Sequence, residues 1–418
     1  MPRQENTKEK ILQCAFELFG KPRISEVSLS EIAAATGISK TAIFRHYKNK
    51  EDLFDTMRQR FFEAMAEMFN EIETIEKPYD LNGVAKTVRS VFDFNERYPN
   101  YLPYYLQMSF TDELLNEGVN IIMLDSGIRY FNEELFKDKK NFVPHNLIST
   151  FFEQTLLVYL WLSQKNDCSN VGVLDYEKFK DCVANLIYSG LGRKKNPISP
   201  ERKKELDAIC EIKLDDNEKT NRFLNAFVKL IQERGSARIT VERIADAVGM
   251  AKSSVYAFFA NKHDYLINML IQETERANAI IKEKCSQTKN SDEALYAIMR
   301  TQANYFALRP QVLGLHGYFI FQEAALADKD IKEFHKRTLG AIIDSVVKYA
   351  MPQTFDFPVK ENSILFIKWI SELTVGYMLM GTRHKFPREW LDFYVSSVFE
   401  MIECGVKIAY HHNGEKKA

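Results

Sequence analysis

The sequence has little glycine and little proline, with 17 and 12 residues of these types in a chain of 418. Glycine and proline interrupt regular structure, so their scarcity leaves long stretches of Leu, Ile, Ala, Glu and Lys without a break. This composition favours helices, and we predict an all-α protein of about two to four domains. The hydrophobic fraction of 45% is enough for a sizeable core.

Three other shortages exclude classes of protein. The six cysteines are far apart and none forms a Cys-x-x-Cys pair, so we expect neither a disulfide framework nor a metal site, and no cofactor. The net charge of −1 excludes a uniformly basic coat for nucleic acid, so any DNA-binding surface must be local. The longest apolar runs, such as LLVYLWL at 156–162, are too short to span a bilayer. The polar start, MPRQENTKEK, is unlike a signal peptide, and we expect a soluble cytoplasmic protein without a membrane partner.

Catalytic motifs are also missing from the sequence. There is no Gly-rich phosphate loop, no His-x-x-x-His pair and no G-x-S-x-G elbow. The eight histidines are scattered. We therefore expect no catalytic residues and no enzyme.

What the sequence does contain is an internal repeat. A shift of 212 positions aligns residues 8–54 with 220–266 without a gap. From Ser28 and Thr240 onward the identical pairs are Ile32/Ile244, Ala33/Ala245, Ala35/Ala247, Gly37/Gly249, Lys40/Lys252, Asn49/Asn261, Lys50/Lys262 and Asp52/Asp264. The matches fall at positions with a structural role, which favours a true duplication.

Each copy of the repeat reads as three short helices. In copy one the first helix has an apolar face at helical spacing, made of Ile11, Leu12, Ala15, Phe16, Leu18 and Phe19. A second helix starts near Ser28, and Gly37 stands where a tight turn needs a left-handed backbone. Ser39 can cap a third helix, KTAIFRHY, with Ile43 and Tyr47 inward. This pattern is typical of a helix-turn-helix; a small helical bundle without nucleic acid is the alternative.

The stretch GISKTAIFRHYKNKEDL resembles the signature of the TetR/AcrR family of bacterial transcription regulators. GMAKSSVYAFFANKHDYL in copy two resembles it more weakly. The resemblance implies that the third helix enters the major groove and that Phe44, His46 and Lys50 contact the DNA backbone. The DNA-binding residues implied for copy one are Ser28, Ser39, Lys40, Thr41, Ala42, Phe44, Arg45, His46 and Lys50. Phe44 as a core residue and Lys50 as a solvated charge are the alternatives.

Copy two departs from this signature. Ala251 replaces the capping Ser39, which costs about 1 kcal/mol, and Ala257 replaces Arg45. The DNA-binding residues implied for copy two are Lys252, Ser253, Ser254, Tyr256 and Lys262. We expect copy two to bind DNA more weakly or with another sequence preference; a purely structural partner is the alternative.

The repeat divides the chain into five segments. They are head 1 (1–54), body 1 (55–192), a linker (193–219), head 2 (220–266) and body 2 (267–418). The family resemblance implies helical ligand-binding and dimerisation bodies whose last two helices form a four-helix dimer interface. In this chain those helices are 145–165 with 175–190, and 360–381 with 388–410.

A chain with two fused copies can pair its own halves. We therefore predict an internal pseudo-dimer that acts as a ligand-responsive regulator, a repressor, and binds an asymmetric double-stranded DNA site. The rivals are a homodimer with four heads and a protein-interaction module that has lost DNA binding. The resemblance also implies a small apolar or aromatic effector. Aromatic residues line apolar pockets as well as cores, and the candidates are Phe92, Tyr101, Tyr105, Phe110, Phe152 and Tyr159.

Overall fold

The computed structural model describes most of the two bodies, most of head 1 and part of head 2. The described residues are 2–20, 27–73, 75, 80–108, 112, 114–115, 117–119, 142–163, 171–192, 198–213, 225–226, 229–230, 241–251, 253, 262–320, 349–352, 355–383 and 388–407. Most of the helix predicted around 112–137 and the candidate ligand residue Phe110 lie outside these residues. Half 1 below denotes residues 1–192, and half 2 denotes residues 220–418.

The described part of half 1 consists of helices, as the composition predicts. They are α1 (Pro2–Gly20), α2 (Leu29–Thr36), α3 (Lys40–Ile43), α4 (Lys50–Glu73), α5 (Leu81–Arg97), α6 (Tyr101–Met108), α7 (Phe142–Ser163) and α8 (Tyr176–Ser189). The linker contributes α9 (Pro200–Ile209). Helix α4 has 24 residues and joins the head to the body without a break.

Half 2 repeats this order of helices where it is described. Its helices are α10 (Val241–Val248), α11 (Lys262–Cys285), α12 (Ser291–Leu308), α13 (Pro310–Ile320), α14 (Asn362–Arg383) and α15 (Arg388–Cys404). The all-α prediction is confirmed. None of the helices in the described ranges is long and apolar enough to cross a membrane.

The last two helices of the halves share one apolar core. Helix α7 contacts α14 and α15, and α8 contacts α15. The indole of Trp369 on α14 is fully buried and donates a hydrogen bond to the hydroxyl of Thr155 on α7 at 3.2 Å. The ring of Tyr159 packs 6.1 Å from Trp369 and 5.3 Å from Phe357. The core of half 1 is therefore completed by side chains of half 2.

The ends of α8 and α15 exchange a symmetric pair of backbone hydrogen bonds. The amide of Leu191 donates to the carbonyl of Ile402 at 2.8 Å, and the amide of Val406 donates to that of Ile187 at 2.9 Å. Ile187 and Ile402, like Leu191 and Val406, are 215 positions apart in the sequence. The same stretch of each half thus bonds to its counterpart, as in a two-fold interface.

The linker helix α9 packs on half 2. Ser199 caps it, as predicted, and Leu206 is fully buried. The guanidinium of Arg202 binds both carboxylate oxygens of Glu293 on α12, at 3.0 and 2.8 Å. Asp207 accepts a hydrogen bond from the hydroxyl of Tyr296 at 2.7 Å. The linker is therefore an integral part of half 2 and holds α12 from outside.

A half-buried carboxylate in the shared core predicts a pH-dependent stability. Burial raises the pKa of Glu153 on α7 to about 7, so the folded state keeps a proton that the unfolded chain loses near pH 4.5. Folding stability should fall as pH rises from about 4.5 to about 7. Glu153→Gln should remove this loss and be more stable than the wild type at pH 8 by about 1–3 kcal/mol.

Urea unfolding at pH 5 and pH 8 measures this difference. Glu67→Gln, on the exposed side of α4, is the control and should follow the wild type at both values. An equal gain for Glu153→Gln at both pH values would contradict a raised pKa.

Candidate nucleic-acid interface

Helix α2 and the turn after it are fixed by local hydrogen bonds. Ser28 and Glu31 form a reciprocal cap: the Glu31 amide donates to the Ser28 hydroxyl at 3.2 Å, and the Ser28 amide donates to the Glu31 carboxylate at 2.8 Å. Gly37 ends α2 with φ of 78°, a left-handed conformation that glycine adopts without strain. These contacts set the angle at which the chain enters α3. Ser28 thus has a clear structural role, besides its predicted role at DNA.

Helix α3 is anchored by two buried side chains, as predicted. Ile43 is 0% exposed and Tyr47 is 1% exposed, and the Tyr47 hydroxyl donates to the carbonyl of Lys8 on α1 at 3.2 Å. Burial, then the charge of Glu9, raises the pKa of Tyr47 to about 12, so the phenol stays neutral. Ser39 caps α3 by accepting from the Ala42 amide at 3.2 Å.

The predicted third helix, 40–47, is shorter in the structure. Helix α3 ends at Ile43, and the amides of Arg45 and His46 donate to carbonyls three residues earlier, at 3.2 and 2.8 Å. Such bonds tighten the chain into a turn. The residues that follow Ile43 are therefore presented on a turn at the end of α3.

The outward side of α3 and its turn carries the predicted DNA-binding side chains. Lys40, Thr41 and Arg45 are exposed, and Ala42 and His46 are half-buried. The Lys40 and Arg45 side chains have no hydrogen-bond or ion-pair partner among the residues the structure describes. Phe44 is 46% exposed, so it is not a core residue. Cations free of intramolecular partners are available to neutralise phosphates.

The start of α4 adds two further cations, Lys48 and Lys50, beside the acidic Glu51 and Asp52 of its first turn. Asn49 and Asp52 cap this helix: the Asp52 amide donates to Asn49 at 2.8 Å, and the Lys48 amide donates to Asp52 at 2.7 Å. The Lys50 ammonium lies 5.0 Å from the centre of the Phe54 ring. Lys48 is exposed and was missing from the residues predicted from the sequence. The signal was a lysine on each side of a capping asparagine.

Head 2 builds its turn in the same way. Gly249 has φ of 70°, and the Met250 amide donates to the Ala245 carbonyl at 2.9 Å, as the Ile38 amide does to the Ala33 carbonyl at 3.0 Å. Ser253 is exposed. The predicted residues Lys252, Ser254 and Tyr256 lie outside the described residues, and Lys262 is described only as the first residue of α11.

The aromatic residues predicted to bind a ligand lie in two places. Phe92 and Tyr159 both pack against Phe179, at 6.2 and 5.9 Å between ring centres, in the core shared by the halves. Tyr101 and Tyr105 pack against Phe61 on α4, at 5.9 and 5.7 Å. Phe152 is half-buried on α7. The described members of this set therefore do not line one common site.

The capped helix α2, the left-handed Gly37, the short helix α3 and the exposed cations Lys40 and Arg45 together form a helix-turn-helix of the kind that binds DNA. The family model described as "Bacterial regulatory proteins, tetR family" matches residues 11–57 and 223–267, the two copies found in the sequence. The chain therefore carries the DNA-binding domain of the TetR family of transcription regulators twice.

Individual relatives agree with this assignment. The biofilm operon icaADBC HTH-type negative transcriptional regulator IcaR of Staphylococcus epidermidis is 26% identical over 191 residues, 43% of this chain and 96% of that protein. IcaR of Staphylococcus aureus is 23% identical over 188 residues, with the same two coverages. The HTH-type transcriptional regulator AcrR of Shigella flexneri is 44% identical over 50 residues, 12% of this chain and 23% of that protein. Almost all of IcaR thus corresponds to less than half of this chain.

Proposed function

We propose that this chain is a cytoplasmic transcriptional repressor whose two halves act as an intramolecular pseudo-dimer on one asymmetric operator. Family members are transcription regulators, and the relative IcaR is named a negative regulator. Repression follows if the two heads occupy DNA that the transcription machinery needs. No catalytic step is part of this proposal.

One observation carries the pairing of the halves. The helix ends at Gly190 and Gly405 bond to each other through the reciprocal pair Leu191–Ile402 and Val406–Ile187. A surface that is already bonded to its own counterpart cannot also join a second chain, which favours one chain per operator over a homodimer with four heads.

The unlike heads support the asymmetry of the operator. Head 1 has the Ser39 cap and the exposed cations Lys40 and Arg45. Head 2 has Ala251 in place of Ser39 and Ala257 in place of Arg45. Lost phosphate contacts weaken binding and flatten its salt dependence. Head 1 then supplies most of the affinity, and head 2 supplies the spacing and a second, weaker preference.

Long connecting helices support a response to an effector. Helices α4 and α11 have 24 residues each, about 36 Å at the rise of an α-helix. A shift at the body end of either helix therefore moves a head. We propose that a small apolar effector binding to a body changes the distance between the heads and releases DNA.

Selection of binding sites from random duplex DNA, followed by mass measurement of the complexes, tests the proposal. We expect two unlike half-sites and one chain per duplex. A palindromic site bound by two chains would support the four-headed homodimer. If no sequence is enriched, the proposal that the two heads bind a specific operator is contradicted.

A further inference from the structure

In each half, the helix that leaves the head (α4 or α11) packs against the next helix of its body (α5 or α12). The ends of α5 and α12 are equivalent in the two halves. Tyr98, which caps the end of α5, has φ of −130° and ψ of 66°, and Arg309, which caps the end of α12, has φ of −131° and ψ of 65°. Each of these amides donates to the carbonyl four residues earlier, that of Phe94 at 2.8 Å and that of Tyr305 at 2.9 Å. Tyr98 and Arg309 are therefore structural counterparts.

In half 1 the side chains near the end of α5 are aromatic. Phe61 on α4 stacks on Tyr105 at 5.7 Å, and Tyr98 packs 5.3 Å from Phe94. A buried ion pair of α4 lies one turn nearer the head, where the guanidinium of Arg58 binds the carboxylate of Asp112 at 2.7 Å. The same guanidinium also binds the carboxylates of Glu51 and Asp55 on α4. The side chains of Arg58 and Asp112 are only 8% and 7% exposed.

In half 2 the charged and the apolar positions of the connecting helix are interchanged relative to half 1. Glu273 on α11 stands 212 positions after Phe61 and binds the guanidinium of Arg309 at 2.7 Å, with side chains 6% and 4% exposed. The Tyr305 hydroxyl donates to the same carboxylate at 2.6 Å. The counterpart of Arg58 is Leu270, which is 2% exposed. The buried charge is thus an anion, Glu273, on α11 and a cation, Arg58, on α4. In the aligned sequences these two positions differ by about one helical turn.

We infer that Glu273 and Arg309 are positioning residues for head 2, as Arg58 and Asp112 are for head 1, and that each pair controls only its own half-site. Breaking a buried ion pair leaves a charge without its partner in a low-dielectric site. The packing of the connecting helix against its body then loosens, and the helix no longer has one fixed direction. Because the two pairs differ in sign and position, each connecting helix fits only its own body. The DNA part of this inference rests on the proposed function.

Footprinting on a duplex selected by the wild-type chain tests the inference. Arg45→Ala first shows which half-site belongs to head 1. Glu273→Gln should then need about tenfold more protein to protect the head 2 half-site, with the head 1 half-site unchanged. Arg58→Gln is the reciprocal variant and should weaken only the head 1 half-site. Equal weakening of both half-sites by either variant, or no change from Glu273→Gln, would overturn the inference.

A charge-reversed double variant separates positioning from simple loss of fold. Glu273→Arg combined with Arg309→Glu restores an ion pair with the same two positions and should regain protection of the head 2 half-site. If Glu273→Gln does not fold, this double variant decides: recovered protection supports the inference, and failure to recover it overturns the inference.

Hydrogen exchange without DNA gives a readout independent of operator binding. Glu273→Gln should speed exchange of amides in Val241–Val248 of head 2 and leave those in Leu29–Thr36 of head 1 unchanged. A wild type that protects no DNA would count against the proposed function alone. Unchanged exchange in Val241–Val248 would count against the inference alone.

Discussion

Gly405→Ala should destabilise the protein by about 3 kcal/mol or more. Gly405 has φ of 69°, which an alanine adopts only at a cost. A Cβ at this position would also lie 2.2 Å from the carbonyl oxygen of Tyr188 and 2.5 Å from the amide of Gly190. Both are backbone atoms of the other half, so the clash is relieved only by moving the halves apart. Thermal and urea unfolding measure the loss.

Gly192→Ala is the matched control for this prediction. Gly192 has φ of 62°, and an added Cβ there has no atom within 4 Å. It therefore keeps the cost of a left-handed alanine, about 1–2 kcal/mol, without the clash. Losses of equal size for the two variants would show that the close approach of the halves contributes little to stability.

Lys40→Ala combined with Arg45→Ala should weaken DNA binding by about 100-fold near physiological salt. Both side chains are exposed on the outward side of head 1, so their loss removes phosphate contacts and leaves the fold intact. Each lost contact lowers the slope of log affinity against log salt by about 0.9. We expect the slope to fall by about two. Gel shifts over a series of salt concentrations on the selected duplex give both quantities.

Lys86→Ala combined with Arg97→Ala is the control for this variant. These two cations are exposed on α5 of body 1, and their loss changes the net charge by the same amount. Affinity and salt slope should stay close to the wild type. A similar loss in both double variants would mean that net charge, rather than contact with head 1, governs binding.

The caps and the turn of head 1 could be predicted from the sequence because short-range contacts build them. The Ser28 cap, the Gly37 turn, the Ser39 cap and the inward Ile43 and Tyr47 each involve residues close in sequence, and the structure has all of them. The predicted extent of α3 was wrong, because the helix ends at Ile43. Tyr47, beyond this end, bonds to the carbonyl of Lys8 on α1, a residue far away in the sequence.

The aromatic residues of body 1 could not be sorted from the sequence. A buried aromatic looks the same whether it lines a pocket, fills a core or joins two units. Tyr159 packs against Phe357 and Trp369, about two hundred residues away. Tyr101 instead contacts Phe16 of head 1 at 4.4 Å. Only the contact partners separate these roles.

The sequence by itself determined the duplication, the helical class, the caps of head 1, the glycine turns of both heads and the presence of a capped linker helix. Each of these depends on spacing and on hydrogen bonds within a few residues, which the order of residues specifies directly. The tertiary structure decided how α8 and α15 meet, that the linker belongs to half 2, and that Glu273 forms a buried ion pair with Arg309. These depend on pairs of residues far apart in the chain, whose contacts exist only once the halves have packed together.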